Sequence, residues 1–362
     1  MIPLLALLLA CRDHADVTVI STRDLGPLEQ ADVIQGRDGG YSVLFGNQSV
    51  WAYGDTILSE EGEDGSAWRN NTASWTSDLD ASDGVTGFDQ AEDALGVPRE
   101  FLPRTEEEED YNLAHSGDAC EDPCGAREAL WPEDMVWDAA RGRVLVFYTK
   151  IHGEPGEWNF WSMGYGIAEW VDFQTGPVRP EVRPGTDEPT LHWDADGPGW
   201  GAAAQVVDDD LYAWACDTDM VSKPCHLARA PLADALDPDT WRYWDGDDWT
   251  ADMDKVAKLF DGESQLSIHY NPTLDRYLAV YARWTDNRIY LRTAPAPEGP
   301  WSKEIAAFDA EPPLSGDFGV YCGMAHGEYM RDNGGIELVS YYRSTTDWHG
   351  EVRVVEMEIA SR

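Results

Sequence analysis

Positive charge is scarce in this sequence. Lys and Arg together number 26, against 68 Asp and Glu residues, which gives a formal net charge of −42. An electrostatic field of this sign repels phosphate backbones and anionic lipid headgroups. We therefore expect no nucleic-acid partner. The ordinary explanation of the acidity is a solvated, salt-adapted surface.

Long apolar segments are also absent, apart from the first eleven residues, MIPLLALLLAC, which are too few to span a bilayer as a permanent helix. Their end, from Leu8 to Cys11, resembles a bacterial lipobox, in which the cysteine is diacylated and becomes the mature N-terminus. The resemblance implies a signal peptide over residues 1–11 and export or secretion. It also implies that the only membrane contact is a lipid anchor at Cys11, on the outer membrane or cell surface. The sequence departs from the pattern because no Lys or Arg precedes the apolar run.

Cysteine is equally sparse, with six residues in all. Cys120 and Cys124 are close together, and Cys216 and Cys225 flank a short loop, so both pairs predict local disulfides in an oxidising compartment. Cys322 is left over. Zinc is the rival interpretation, but the histidines lack finger-like spacing and four thiolates would have to converge from distant segments.

Several common catalytic motifs are missing as well: the sequence has no GxSxG elbow, HExxH helix, Walker loop or dinucleotide fingerprint. What it does contain is a repeat. An apolar strand, a polar turn and an aromatic-rich strand recur five times, and most copies are followed by a third strand. The copies cover residues 41–55, 134–149, 202–215, 266–281 and 324–342. Such recurrence is typical of a β-propeller.

We therefore predict an all-β protein with one domain, a five-bladed β-propeller over residues 31–362, preceded by an N-terminal linker over 12–30. The segment from Asp78 to Arg127 is polar, acidic and rich in turn residues. We expect it to be a long insertion after the first blade's hairpin, forming a rim over one end of the propeller.

The predicted topology selects a few side chains for chemistry. In a propeller, the start of each blade's first strand and the end of its second strand reach the same face. The residues placed there by their sequence positions are Asp38, Asp55, Trp131, Asp134, Glu263 and His326. Converging carboxyl groups suit glycoside hydrolysis, because one must protonate the departing oxygen while another activates water or attacks the sugar. Crowding of like charges also raises one pKa.

Each candidate has an ordinary structural alternative. Asp38 and Asp55 precede Gly and Thr, so they also fit a turn role. His326 fits a buried core histidine equally well. Trp131, Trp158 and Trp161 offer faces on which a sugar ring stacks, but packing between blades is the commoner fate of such residues.

The segments GRDGGYSVLFGNQSVWAYGDT and NNTAS resemble a bacterial family of domains of unknown function, some members of which are regarded as endo-D-arabinanases. The similarity continues through LWPED, WGAAAQVV, ESQLSIHYNPTLDRYLAVY and VYCGMAHGEY. It implies a five-bladed propeller, with Asp38 as base or nucleophile, Asp134 as a carboxylate that tunes or orients, and a blade-four carboxylate as the acid. One departure concerns that acid. Gln265 stands where the family tends to have an acidic residue, and Glu263 lies two positions earlier.

Our leading hypothesis is a glycoside hydrolase acting on a polysaccharide or glycan, such as an arabinan, with Asp38, Asp134 and Glu263 as the carboxyl groups. Asp55 and Asn71 would support the first-blade carboxylate, while Trp131, Gln265 and His326 would contact substrate. No cofactor is required, although the acidic end of the channel on this face, which we call the mouth, is compatible with a calcium ion. A carbohydrate is the expected partner, and we expect a monomer.

A non-catalytic carbohydrate-binding or surface interaction propeller is the alternative, motivated by Gln265, and a structural scaffold is a third possibility. The fold alone does not separate the three.

Overall fold

The computed structural model describes residues 17–173, 175–217, 222–316, 319–346 and 349–362. In this part of the chain, the strands form five antiparallel sheets, so the predicted all-β, five-bladed propeller is confirmed. The first strand of the chain, β1 (Val17–Pro27), belongs to the last blade. The lipobox cysteine, Cys11, lies outside the described residues.

Blades 1 to 3 follow in chain order. Blade 1 consists of β2 (Ile34–Phe45), β3 (Gln48–Leu58), β4 (Trp68–Arg69), β5 (Thr72–Thr76) and β6 (Asp89–Gln90). Blade 2 consists of β7 (Arg127–Asp138), β8 (Arg143–Gly153), β9 (Phe160–Trp170) and β10 (Trp193–Asp194). Blade 3 consists of β11 (Trp200–Val207), β12 (Asp210–Cys216), β13 (Pro224–Pro231), β14 (Arg242–Trp244), β15 (Trp249–Thr250) and β16 (Phe260–Asp261).

Blades 4 and 5 complete the ring. Blade 4 consists of β17 (Ser267–Asn271), β18 (Arg276–Arg283), β19 (Arg288–Ala294) and β20 (Ile305–Asp309). Blade 5 consists of β21 (Tyr321–Ala325), β22 (Ile336–Thr346), β23 (His349–Ser361) and β1. Short 3-10 turns lie at Leu232–Asp234, Pro238–Thr240, Met253–Lys255, Gly327–Tyr329 and Asp332–Gly334. The first strands, β2, β7, β11, β17 and β21, contact one another in sequence around the central channel.

The ring is closed by the N-terminal strand. β1 pairs antiparallel with β23, and Val17 lies opposite Ser361. Much of the segment that we expected to be a linker, residues 12–30, is therefore the outermost strand of blade 5. The local sequence gives little sign of this, because the strand's hydrogen-bonding partner is at the other end of the chain.

The insertion between blades 1 and 2 has structure of its own. The described residues contain one α-helix, α1 (Glu106–Ala114), whose N-terminus is closed by a capping box between Thr105 and Glu108. Glu108 is buried and accepts two hydrogen bonds from Arg179, at 2.6 and 2.8 Å, while Lys150 lies 3.2 Å away. These charge-assisted contacts fix the insertion to blade 2.

Both predicted disulfides are confirmed, Cys120–Cys124 in the insertion and Cys216–Cys225 between β12 and β13. Cys322 is a free, buried cysteine. Within the described ranges, no helix has the length and apolar character needed to cross a membrane.

Candidate active site

Asp38 lies at an irregular point of β2, where the pairing register with β3 shifts on either side of the residue. Its carboxyl group accepts a hydrogen bond from the Tyr321 hydroxyl at 3.2 Å. Gly54 on β3 leaves room for this group, because a Cβ atom at position 54 would lie 2.5 Å from Asp38 Oδ1. Burial raises the pKa of Asp38 to about 7, and the nearby charge of Asp55 adds to the effect.

Asp55 follows Gly54 on β3 and faces the same mouth of the channel. The Trp68 indole N–H donates a hydrogen bond to its Oδ1 at 3.0 Å. Burial raises the pKa of Asp55 to about 6, although the positive charge of Arg127 and the indoles of Trp68 and Trp131 oppose the rise. Asp38 and Asp55 therefore form a pair of interacting carboxyl groups, which titrate together near neutral pH.

Blade 2 contributes two further carboxyl groups through a bulge. The register between β7 and β8 shifts between Pro132 and Met135, so the usual alternation of side chains fails there. Glu133 reaches toward blade 1, where it accepts a hydrogen bond from the Tyr41 hydroxyl at 3.1 Å. Asp134 reaches toward blade 3, where it accepts from the Ala204 backbone N–H at 2.7 Å. Burial raises the pKa of each carboxyl group to about 7.

The predicted blade-four carboxylate has a cationic partner. Lys223 Nζ lies 2.6 Å from Glu263 Oε2. Burial raises the pKa of Glu263, while the Lys223 charge opposes that rise. Gln265 accepts a hydrogen bond from Cys322 Sγ at 3.0 Å. Burial and the Asp38 charge raise the pKa of the Cys322 thiol well above its usual range, so it stays neutral and unsuited to nucleophilic attack.

Asn71 does not reach the mouth. It is buried between blade 1, blade 2 and the insertion, where its Nδ2 donates to the Leu130 carbonyl at 2.9 Å. Its Oδ1 accepts from the backbone N–H groups of Phe101 and Leu102. Because its side-chain oxygen and nitrogen both bind backbone groups, Asn71 holds the insertion in place, in contrast to the expectation that it supports the first-blade carboxylate.

His326 also has an internal structural role. Its Nδ1 lies 2.6 Å from Ser42 Oγ and its Nε2 lies 2.8 Å from Ser340 Oγ. The ring packs on Trp51, with centroids 4.1 Å apart, and burial lowers the pKa of His326 to about 3. His326 is therefore a neutral histidine that joins blades 5 and 1, in contrast to the predicted contact with substrate.

Aromatic side chains extend the mouth along blade 2. Trp131 lies edge-on to Phe160, with ring centroids 5.3 Å apart. Trp158 and Trp161 are 64% and 44% exposed, so they do not pack between blades as the alternative interpretation held. We call Trp158, Phe160 and Trp161 the aromatic ridge.

The structure places four further side chains beside the predicted site residues, namely Tyr41, Glu133, Lys223 and Tyr321. Glu133 is adjacent to Asp134, and only the bulge turns both side chains toward neighbouring inner strands. The Trp-Pro-Glu-Asp sequence was the available signal, because proline often marks a bulge within a strand.

We also searched the site for a set of metal ligands. Among the residues that the structure describes, no three His, Cys, Asp or Glu side chains are arranged to hold a metal ion. The calcium ion compatible with the sequence therefore has no ligand set in the described ranges. A separate cavity of about 370 Å³ lies at the edge of blade 4, next to Asp286 and Asp309, and contains none of the carboxyl groups above.

Comparison with known proteins gives a family and a shared fold. The domain of unknown function DUF4185 matches residues 28–330. No curated protein matches the chain significantly. A proposed hydrolase from Bacteroides ovatus has a similar structure, with a TM-score of 0.57 and 15% identity, covering 92% of this chain and 87% of that one.

Two glycoside hydrolases also share the fold. A family 117 glycoside hydrolase from the marine bacterium Zobellia galactanivorans gives a TM-score of 0.52 at 12% identity, with coverage of 93% and 90%. A GH43_1 enzyme from Xanthomonas citri, complexed with xylotriose, gives 0.50 at 11% identity, with coverage of 93% and 90%. At these identities the similarity establishes the propeller fold.

Proposed function

We propose that this chain, which belongs to the DUF4185 family, is a glycoside hydrolase whose active site is the channel mouth around Asp38 and Asp55. The pair of interacting carboxyl groups carries the proposal. Their pKa values are raised to about 7 and about 6, so deprotonated and protonated carboxyl groups coexist there near neutral pH. The glycoside hydrolases that share the fold support the same chemistry.

Asp38 is the proposed base or nucleophile. Its side chain is half-buried and held by the Tyr321 hydroxyl and the space at Gly54, so its oxygens have a fixed position at the mouth. Asp55 raises the pKa of Asp38 and thereby strengthens it as a base. In the overall reaction the bond between the anomeric carbon and the leaving oxygen breaks, water supplies a hydroxyl to the carbon, and the leaving oxygen gains a proton.

Glu133 is the better proton donor in this geometry. Its pKa of about 7 keeps a large fraction protonated at neutral pH, whereas Glu263 is held in an ion pair with Lys223 at 2.6 Å. Asp134 uses both oxygens to accept backbone N–H groups, from Met135 and Ala204, so its proposed role is to orient the bulge that presents Glu133. This assignment replaces Glu263 as the proposed acid.

The test is release of reducing sugar from arabinans, arabinogalactans and xylans by wild type and by Asp38→Asn. We expect release that Asp38→Asn abolishes. A fully active Asp38→Asn variant would refute the assignment. The acid is tested with Glu133→Gln and Glu263→Gln on a polysaccharide and on an aryl glycoside whose leaving group needs no proton. Glu133→Gln should lose activity on the polysaccharide alone, and the same pattern in Glu263→Gln would transfer the role to Glu263.

Non-catalytic carbohydrate binding is the second candidate, and one observation favours it: of the two blade-4 positions proposed for the acid, one is Gln265 and the other, Glu263, is paired with Lys223. It predicts glycan binding without release of reducing sugar, and binding that survives Asp38→Asn. The same panel therefore separates the two functions.

We further propose that the protein is exported and anchored through a lipid on Cys11. The two disulfides support the first part, because disulfides persist in oxidising compartments. Metabolic labelling with a radioactive fatty acid tests the second part, since Cys11→Ala should abolish incorporation. Equal labelling of the variant would refute the anchor.

A further inference from the structure

The aromatic ridge is an unusual concentration of exposed aromatic surface. The large apolar side chains exposed by the described residues include four aromatic ones, and three of these are Trp158, Phe160 and Trp161, at 64%, 42% and 44% exposure. The fourth, Tyr270, is 38% exposed and lies on blade 4 at the opposite end of the channel. Contiguous exposed apolar surface of this kind is typical of a binding site.

The ridge is continuous with the proposed active site. Trp131 lies two positions before Glu133 on β7, and the Trp131 ring lies 5.3 Å from the Phe160 ring. The Phe160 ring lies 6.3 Å from that of Trp158. A row of rings thus leads from the β7 carboxyl groups to the outer end of blade 2. Trp161 lies beside this row, packed on His152 with centroids 4.7 Å apart.

The backbone at the outer end of the ridge is in an uncommon conformation. Trp158 has a φ of 60°, in the left-handed region that a bulky residue seldom adopts. Residues kept in such conformations cluster at ligand-binding sites, where the strain is part of the function. Trp158 is at an exposed hairpin position, so burial of its own side chain does not compensate for the backbone strain.

Charge narrows the class of ligand. Glu154 and Glu157 are on the same hairpin as Trp158, and blades 1 and 2 bring four carboxyl groups, those of Asp38, Asp55, Glu133 and Asp134, to the mouth. The net charge of the chain is −42. A glycan that carries uronate or sulfate groups would meet net repulsion along this path, whereas an uncharged sugar chain would not.

We infer that the aromatic ridge binds several sugar units of an uncharged polysaccharide, beside the bond that is cut at Asp38. The sugar faces stack on the exposed rings of Trp158, Phe160 and Trp161, as apolar ring faces do on aromatic side chains. The inference rests on the proposed function for the cleavage step, but the binding step stands separately. It gives the enzyme a preference for polymers over short substrates.

The experiment separates binding from catalysis. Affinity for linear arabinan and for xylan is measured in the Asp38→Asn background, with and without Trp158→Ala and Trp161→Ala together. We expect the double substitution to weaken binding of at least one of these polymers about tenfold or more. Tyr270→Ala is the matched control, because it removes an exposed aromatic side chain from the opposite end, and it should leave the affinity unchanged.

Hydrolysis provides the second readout. In the otherwise wild-type chain, the double substitution should raise KM for the polymer about tenfold while leaving kcat/KM for a short aryl glycoside unchanged. Polygalacturonate should neither bind nor be cut at low salt. Unchanged polymer affinity in the double variant, or equal affinity for polygalacturonate, would overturn the inference. Loss of polymer binding in a chain that never releases reducing sugar would retain the ridge and reject the hydrolase.

Discussion

The substitution Gly54→Ala tests whether the position of the Asp38 carboxyl group controls activity. The added Cβ would lie 2.5 Å from Asp38 Oδ1, and among the described residues outside its chain neighbours it meets only Asp38 within 4 Å. The carboxyl group must therefore move by about 1 Å to reach an ordinary contact distance. A displacement of that size costs about 100-fold in rate when it affects a reacting group, or about 2.7 kcal/mol in the activation free energy.

Stability should change little in the same variant. The Gly54 backbone is outside the left-handed region, so alanine is compatible with it, and Gly→Ala replacements at compatible positions stabilise by about 0.4–1 kcal/mol. The assay is kcat/KM on the polysaccharide that wild type hydrolyses, with the melting temperature measured beside it. Gly327→Ala is the control, because its Cβ would meet nothing within 4 Å. Wild-type activity in a folded Gly54→Ala variant would refute the role of Asp38.

Three further predictions concern charge and closure. If ionised Asp38 is the reacting form, a plot of kcat/KM against pH should rise through an inflection at about 7. Asp55→Asn should move that inflection to lower pH, because it removes a neighbouring negative charge. An inflection that does not move would contradict the interaction between Asp38 and Asp55. Burial opposes ionisation of Glu108, yet its cationic partners lower its pKa from 4.5 to about 2. Urea titration at pH 7 should therefore show that Glu108→Gln loses about 3 kcal/mol of the free energy of unfolding. That loss should shrink as pH falls from 4.5 toward 2, where the wild-type carboxylate is protonated, while the exposed Glu106→Gln should change stability by less than about 0.5 kcal/mol. Deleting residues 17–27 should lower the melting temperature and increase proteolysis of blade 5, and an unchanged melting temperature would show that ring closure contributes no stability.

The blades were predictable because each is built from neighbouring strands. An apolar strand, a turn and a second strand give a local pattern, and repetition of the pattern gives the number of blades. β1 was not predictable in this way, since its partner β23 is more than 300 residues later. Its sequence shows no second strand next to it, so nothing local indicates which strand it pairs with.

The sequence predicted which strands form the mouth, but not every side chain that lies there. Asp38 lies on β2 and Asp55 on β3, the first two strands of blade 1. Glu133 was missed because a period of two assigns neighbouring residues to opposite faces, and the bulge at that point breaks the period. His326 and Asn71 were placed near the mouth by position, although burial and complete hydrogen bonding give them internal roles.

The sequence before α1 contains a capping-box pattern that predicts the start of this acidic helix. The run Glu106–Asp110 reads as surface charge, and most of it is exposed. Thr105 followed three positions later by Glu108 is, however, the pattern of a capping box, which selects Glu108 from its acidic neighbours. Its burial with Arg179 depends on a contact 71 residues away, which no local pattern contains.

The pairing of β1 with β23 has a consequence for the order of folding. Blades 1 to 4 each complete their sheets from contiguous chain, but blade 5 needs the first and last strands together. The chain therefore cannot close its ring until its final strand is available, and contacts of such long sequence separation form slowly. Because Val17 and Ser361 lie side by side, a circular permutant of residues 17–362 with a short link between them would make blade 5 as local as the others. Such a permutant should refold faster, without any change to the strands that line the channel.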